Sequence, residues 1–172
     1  MKAIFLDRDG VLNKLINRSG KLQAPYTLLE FELFSGVEEA LRIIKFKGYL
    51  AVVVTNQPDV KRAWVSRESV ELINNEILKR LPIDDIKICY HINEDQCSCR
   101  KPAPGMLIDA AKKWGIDLNL SYMVGDRYSD IAAGHVIGCQ TILIGDVDSG
   151  NQGSFPSPDF RANSLIEAMK FI

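Results

Sequence analysis

The 172-residue chain has little net charge, with 21 lysines and arginines against 22 aspartates and glutamates, and it has only two histidines. A near-neutral balance excludes a general nucleic-acid binder, which needs a basic footprint to displace counterions. No apolar run approaches the ~18 residues that cross a bilayer. The opening Met1-Lys2-Ala3-Ile4-Phe5-Leu6-Asp7 meets a charge too early to form a secretory apolar core. These absences lead to the expectation of a cytoplasmic protein with no membrane and no nucleic acid among its partners. Repeats and low-complexity tracts are missing as well. A hydrophobic share of 47% with 25% charged residues is ordinary globular composition. The length suits one domain spanning 1–172, large enough to bury roughly 70% of the surface of its unfolded chain. Cysteine is scarce but clustered: three of four, and one of the two histidines, fall between positions 89 and 99. Where thiols stay reduced, that clustering points to metal ligation rather than disulfides.

Short β-rich runs recur, each ending in polar residues. Ala3–Leu6 ends at Asp7, Tyr49–Val54 at Thr55-Asn56, Ile86–Cys89 at His91, Tyr122–Val124 at Gly125-Asp126, and Thr141–Ile144 at Gly145-Asp146. Continuous apolar runs suit parallel strands buried on both faces. Helical patterns lie between them. Val37, Ala40, Leu41 and Ile44 mark one stripe, and Gly48 ends it. Ser66 is a plausible N-cap for a helix burying Val70, Ile73, Ile77 and Leu78. Pro104 and Gly115 bracket a third, and 130–136 and 164–171 read as two more. Alternation of this kind predicts a doubly wound, Rossmann-like, mostly parallel α/β sheet with helices on both faces and no large cap domain. Ligands of such sheets bind beyond the carboxyl ends of the strands. Residues 13–33 lack periodicity and read as a flap near that end, and 145–163 as a long surface loop.

Four polar motifs sit at those strand ends. In Asp7-Arg8-Asp9-Gly10, two carboxylates held together repel, so a cation must neutralise one or a proton must occupy it. Magnesium binds carboxylates and phosphate oxygens together. One carboxylate can attack phosphorus while the other moves a proton. Gly10 permits a sharp turn. Thr55-Asn56-Gln57 offers a hydroxyl and amides to phosphate oxygens, although such groups also cap turns. Lys101, in Arg100-Lys101-Pro102, supplies a compact positive charge. Asp126 follows the fourth strand and completes an acidic set, with Asp130 acting behind it or serving only as a helix cap.

In this order, the motifs resemble the haloacid dehalogenase superfamily of phosphatases, over Lys2 to about Ile144. The resemblance implies a magnesium-dependent phosphomonoesterase working through an aspartyl phosphate. It implies that Asp7 is the nucleophile and Asp9 the general acid/base, and that Thr55 and Lys101 bind the transferring group. It gives magnesium to Asp7, the Asp9 carbonyl and Asp126. A receiver-like signalling domain shares some of these residues but carries its aspartate alone and near mid-chain.

The spacing Cys89-x-His91-x5-Cys97-x-Cys99 supplies three thiolates and one imidazole, a closed set for structural zinc. Cys139 and His135 stand apart and read as bystanders. A zinc loop at 89–99 running into Arg100-Lys101-Pro102 looks like the group that contains D-glycero-D-manno-heptose 1,7-bisphosphate 7-phosphatase and histidinol-phosphate phosphatase. The run from Lys101 to Leu107 favours the heptose enzyme; the five-residue gap before Cys97 is closer to the other, and Tyr90 stands where a proline is usual between the first two ligands. By this resemblance Arg100 and Arg127 contact substrate. Arg62 matches a family arginine, and Asn56 lies beside the phosphate. The expected partner is a small phosphorylated metabolite, a sugar bisphosphate first, met by a monomer.

Overall fold

A computed structural model of the chain describes residues 1–145 and 155–172. Its centre is a six-stranded sheet made of β1 (Ala3–Leu6), β4 (Leu50–Asn56), β5 (Asp85–Cys89), β6 (Tyr122–Gly125), β7 (Gln140–Ile144) and β8 (Phe160–Ala162). The order is β5-β4-β1-β6-β7-β8, with every pairing parallel. The other strands, β2 (Ile16–Arg18) and β3 (Lys21–Gln23), form a separate antiparallel hairpin inside the expected flap. Beyond this hairpin, nothing among the described residues forms a separate cap.

The continuous apolar runs follow from burial on both faces. Along β1, Ile4 and Leu6 face one core with Ala51, Val53 and Val124, while Ala3 and Phe5 face the other with Val52, Val54 and Met123. The first core is covered by α1 (Val37–Phe46), α3 (Arg67–Arg80) and α6 (Leu165–Ala168). Met106, Leu107 and Ala110 of α4 (Gly105–Trp114) and Ala133 of α5 (Tyr128–His135) cover the second. No polar face remains on the central strands, so alternation is absent from their sequence.

The helix ends follow their local chemistry. Ser66 Oγ accepts the Ser69 amide at 3.1 Å, and Gly115 leaves α4 with φ of 61°. Two expectations need correction. On α3 the buried stripe is Val70, Ile73, Asn74 and Ile77, whereas Leu78 is exposed. Asn74 holds its inward place because a buried polar partner, Arg8, meets it there. The second correction concerns the loop expected at 145–163, which contains β8, paired in parallel with β7 from Ile142 opposite Phe160. Its three residues were too few for a period to register. The part of that loop at 146–154 lies outside the described residues. A short helix, α2 (Pro58–Lys61), also follows β4 where none was expected.

α5 lies close on the sheet because Gly134 has no side chain. A Cβ there would stand 2.5 Å from the Met123 Cβ and 3.1 Å from the Thr141 methyl. Gly134→Ala is therefore expected to cost about 1–3 kcal/mol through overpacking. Thermal denaturation checks this, at roughly 2–4 °C in Tm per kcal/mol for a chain of this size. An unchanged melt would mean that α5 can lift off the sheet without loss.

Candidate functional site

The carboxyl ends of β1, β4 and β6 open onto a cleft of about 1340 Å³. Asp7, Asp9, Asn56, Lys101 and Asp126 line it, as do Arg62, Arg100 and Arg127. Thr55 is 1% exposed and is not among the lining residues; it is joined to the cleft through Gln57, whose amide donates to Thr55 Oγ1. The residues singled out in four separated motifs thus converge, because β1 lies between β4 and β6 in the sheet.

Lys101 is the hub. Its ammonium is 2.8 Å from Asp7 Oδ1 and 2.7 Å from Asp130 Oδ1, and it donates to the Val54 carbonyl at 2.7 Å. Three acceptors satisfy its three protons. Burial alone pulls the ammonium pKa down, but Asp130 and Asp7 outweigh that and hold it above its ordinary range. The Asn56 amide brackets the Lys101 backbone, donating to its carbonyl at 3.0 Å and accepting its N–H at 3.2 Å. Asn56 therefore fixes the segment that presents the lysine, as well as lining the cleft.

The acidic side is overloaded relative to this one cation. Burial first, and then the neighbouring carboxylates, push Asp7 up to about 6, against the opposing pull of Lys101. Burial, Asp7 and Asp130 push Asp126 up to about 8. Among the described residues, Asp126 Oδ1 is buried with no hydrogen-bond partner, and Arg127 Nε stands 3.9 Å from it. Asp7, Asp126 and Asp130 each offer an oxygen within a 4.8 Å cluster that suits a metal ion. Of these, Asp130 is already engaged on both oxygens, by Lys101 and by the Arg127 amide at 3.0 Å. That leaves Asp7 and Asp126 as the side chains fitted to a divalent cation, and the orphaned Asp126 oxygen is what such an ion satisfies. Gly10 makes room for this approach. Its φ is 92°, and a Cβ there would fall 2.2 Å from Asp126 Oδ2.

Asp9 is held differently. Arg8 donates Nε at 3.1 Å to Oδ1 and a terminal nitrogen at 2.9 Å to Oδ2. Asn13 donates to Oδ1 at 2.9 Å and Gln57 to Oδ2 at 2.7 Å. Gln57 also donates to Thr55 Oγ1 at 2.9 Å, so its amide joins these two residues rather than turning to the cleft alone. Arg8 is fully buried and donates a further bond, 2.9 Å long, to Asn74 of α3. Arg8, Asn13 and Asn74 were missed in the sequence. A signal was present: strand alternation puts position 8 on the face of Ile4 and Leu6, which α3 covers, and position 74 falls inside the α3 stripe.

The second cluster stands at the end of β5. Cys89, His91, Cys97 and Cys99 bring one ligand atom each within 4.8 Å of the others. His91 Nδ1 is 3.5 Å from Cys89 Sγ and 3.3 Å from Cys99 Sγ, and the sulfur separations run from 3.1 to 3.7 Å. A tetrahedron with metal–sulfur bonds of about 2.3 Å has edges of roughly 3.7 Å, so the four donors fit zinc. Burial and the neighbouring thiols push the Cys89 thiol up to about 12, so a cation is what would favour its ionised form. Arg100 joins this loop to the cleft, donating to Asn93 Oδ1 at 2.7 Å and to the His91 carbonyl at 3.2 Å. Cys139 is buried in the core and His135 is exposed, both away from the cluster.

Comparison with known proteins follows the same lines. Residues 98–168 match the HAD-hydrolase-like family model. D-glycero-beta-D-manno-heptose-1,7-bisphosphate 7-phosphatase of Pasteurella multocida is 40% identical over 144 residues, 77% of this chain and 75% of the relative. The D-glycero-alpha-D-manno-heptose-1,7-bisphosphate 7-phosphatase of Photorhabdus laumondii is 34% identical, across 100% of this chain and 97% of its own. A crystal structure of D,D-heptose 1,7-bisphosphate phosphatase from B. bronchiseptica, complexed with magnesium and phosphate, superposes with a TM-score of 0.83 at 27% identity, covering 99% of this chain and 97% of that one.

The crowded carboxylates carry a pH signature. A carboxyl whose pKa is higher folded than unfolded favours folding while it is protonated. Its contribution is full below about pH 4 and lost as the pH rises through 6 for Asp7 and 8 for Asp126. In EDTA, Asp126→Asn is expected to remove part of this loss. It raises Tm at pH 8.5 by several degrees, on the order of 2 kcal/mol, and changes it little at pH 4. Melting curves across that range check it; equal shifts at both ends would contradict it.

Proposed function

Because the chain belongs to the haloacid dehalogenase-like hydrolases, as its relatives establish, we propose that it is a magnesium-dependent phosphomonoesterase that removes the 7-phosphate of D-glycero-D-manno-heptose 1,7-bisphosphate. The observation that carries the reading is the buried set at the strand ends, in which Lys101 bridges Asp7 and Asp130 while Asp126 Oδ1 has no hydrogen-bond partner among the described residues. Such a set is unbalanced by itself and complementary to a cation with a phosphate group. The named relatives act on both anomers, which makes each anomer a candidate substrate.

In this reading Asp7 attacks phosphorus through the oxygen that Lys101 does not hold. The bond from phosphorus to the sugar oxygen breaks as the aspartyl phosphate forms, and Asp9 supplies the proton that the departing oxygen takes. Asp9 then takes a proton from water as that water attacks phosphorus, which releases phosphate and restores Asp7. Thr55 donates its hydroxyl to the transferring oxygens, and Lys101, its three protons already engaged, offsets with its charge the negative charge that develops there. Magnesium, held by Asp7, Asp126 and the Asp9 carbonyl, would supply charge neutralisation for the phosphate. Gln57, Asn13 and Arg8 orient Asp9 for both proton transfers. Arg62, Arg100 and Arg127 also line the cleft, and in this reading they meet the rest of the bisphosphate.

Zinc at Cys89, His91, Cys97 and Cys99 has no open coordination position for water, so its part is structural. It fixes the loop that ends at Arg100 and Lys101. The work belongs in the cytoplasm, where thiols stay reduced and three of the four cysteines remain available to the metal. Histidinol phosphate is the second candidate substrate, on the five-residue gap between His91 and Cys97.

Phosphate release from both heptose bisphosphate anomers and from histidinol phosphate, in magnesium, tests the reading. The heptose substrate is expected to lead in kcat/KM, and about a hundredfold lead corresponds to roughly 2.7 kcal/mol of transition-state discrimination. A reversed order would transfer the assignment to histidinol phosphate. Asp7→Asn is expected to abolish turnover with the fold retained by circular dichroism, and Asp9→Asn to slow it by about 10²–10⁴. Retained turnover in Asp7→Asn would exclude it as nucleophile. Cys97→Ser is expected to lose zinc by elemental analysis and several degrees of Tm; full zinc content with an unchanged melt would remove the metal assignment.

A further inference from the structure

The hairpin β2–β3 contributes Lys21 and Leu22 to the cleft wall, and the segment after β4 contributes Arg62 and Trp64. One side chain joins the two. Asp59 of α2 accepts the Tyr26 hydroxyl on Oδ2 at 2.9 Å and Arg62 on Oδ1 at 2.9 Å. The side chain of Asp59 is only 13% exposed, so both oxygens are spent on defined partners. Burial, and then the Asp59 bond, push the Tyr26 phenol up to about 12, so it stays a donor at working pH.

Each partner is braced again. The Arg18 guanidinium lies 3.9 Å from the centre of the Tyr26 ring, and it donates to the Ala24 carbonyl and to Glu30. Glu30 in turn accepts the Tyr26 amide at 2.7 Å. On the other side, Arg62 stands 5.1 Å from the ring of Trp64, which is 56% exposed. Ala63 between them has φ of 59°, the left-handed turn that closes α2, with the Trp64 amide donating to the Asp59 carbonyl at 3.0 Å. An exposed indole beside a held guanidinium presents one apolar face and one cation, the pairing that suits a sugar ring bearing an anionic group.

We infer that Asp59 is a positioning residue for substrate recognition. By bridging Tyr26 and Arg62 it sets the distance between the hairpin and the Arg62–Trp64 wall, and so governs affinity for the sugar part of the substrate rather than phosphoryl transfer. This rests on the phosphatase reading above. The latch contains no group from the set around Lys101, so its loss changes KM while the chemical step is preserved.

Tyr26→Phe removes the hydroxyl and keeps the ring under Arg18; Asp59→Asn keeps the size and removes the charge. Each is measured for KM and kcat on the heptose bisphosphate and on p-nitrophenyl phosphate, and for tryptic cleavage after Arg18 and Lys21 at the hairpin turn. Both variants are expected to raise KM for the bisphosphate about tenfold, the effect of one hydrogen bond to a charged group, with kcat within twofold. Tyr26→Phe is expected to leave p-nitrophenyl phosphate kinetics unchanged and to speed tryptic nicking severalfold. Equal losses on both substrates, or an unchanged KM with unchanged nicking, would overturn the inference. If the native chain hydrolyses no phosphate ester, the functional reading falls, and nicking alone then decides whether the latch exists.

Discussion

A single buried ammonium sets the terms for this molecule. Lys101 comes from a loop distant in sequence from β1, yet its charge lies between Asp7 at the end of β1 and Asp130 on α5. Buried charges persist only when they are paired and hydrogen-bonded. The ion triad therefore obliges β1, the loop after β5 and α5 to meet at one point. The Val54 carbonyl and the Asn56 amide extend that obligation to β4. Asp126 makes the site more acidic than Lys101 can balance, and this residual imbalance suits a cation and a phosphate.

A second buried ion pair works beside the first with a different purpose. Arg8 and Asp9 are neighbours in sequence, and their contact is anchored by Asn74 from α3 and by Asn13 and Gln57 from the surrounding loops. The two arrangements separate the aspartates of one short motif. Asp7 shares a lysine and faces a cation site, whereas Asp9 is surrounded by donors on both oxygens. Two carboxylates with unlike environments can take unlike roles, which is the division that phosphoryl transfer followed by hydrolysis requires.

Specificity is built at a greater distance from these charges. The cysteine–histidine loop reaches the cleft through Arg100, and the hairpin reaches it through Tyr26 and Asp59. In the proposed reading both attachments act on the wall that meets the leaving group. The phosphoryl end can therefore stay constant while the recognition wall varies. The motifs at the strand ends match a wide superfamily, whereas of the segment after Asn56-Gln57 only Arg62 was matched to the family.

What the sequence determined by itself was local. The apolar runs announced strands buried on both faces, and Ser66, Pro104 and Gly115 marked helix ends, because such signals depend on a few neighbouring residues. Asp7, Asp9, Lys101 and Asp126, and the cysteine and histidine spacing, were legible because chemistry restricts which residues can serve. The tertiary structure alone decided the partnerships. Arg8 sits between two aspartates, and only the packing of α3 over β1 shows it buried against Asn74 rather than solvated. Asp130 read as a helix cap, and it is one, but the Lys101 loop folded against it makes it half of an ion pair. Strand β8 was hidden because three residues carry no period and gain their hydrogen bonds only from β7. Asp59 belongs to none of the sequence motifs, and only the tertiary structure brings Tyr26 to it. In each case the deciding interaction joins residues far apart in the chain, and its free energy exists only once both are buried together.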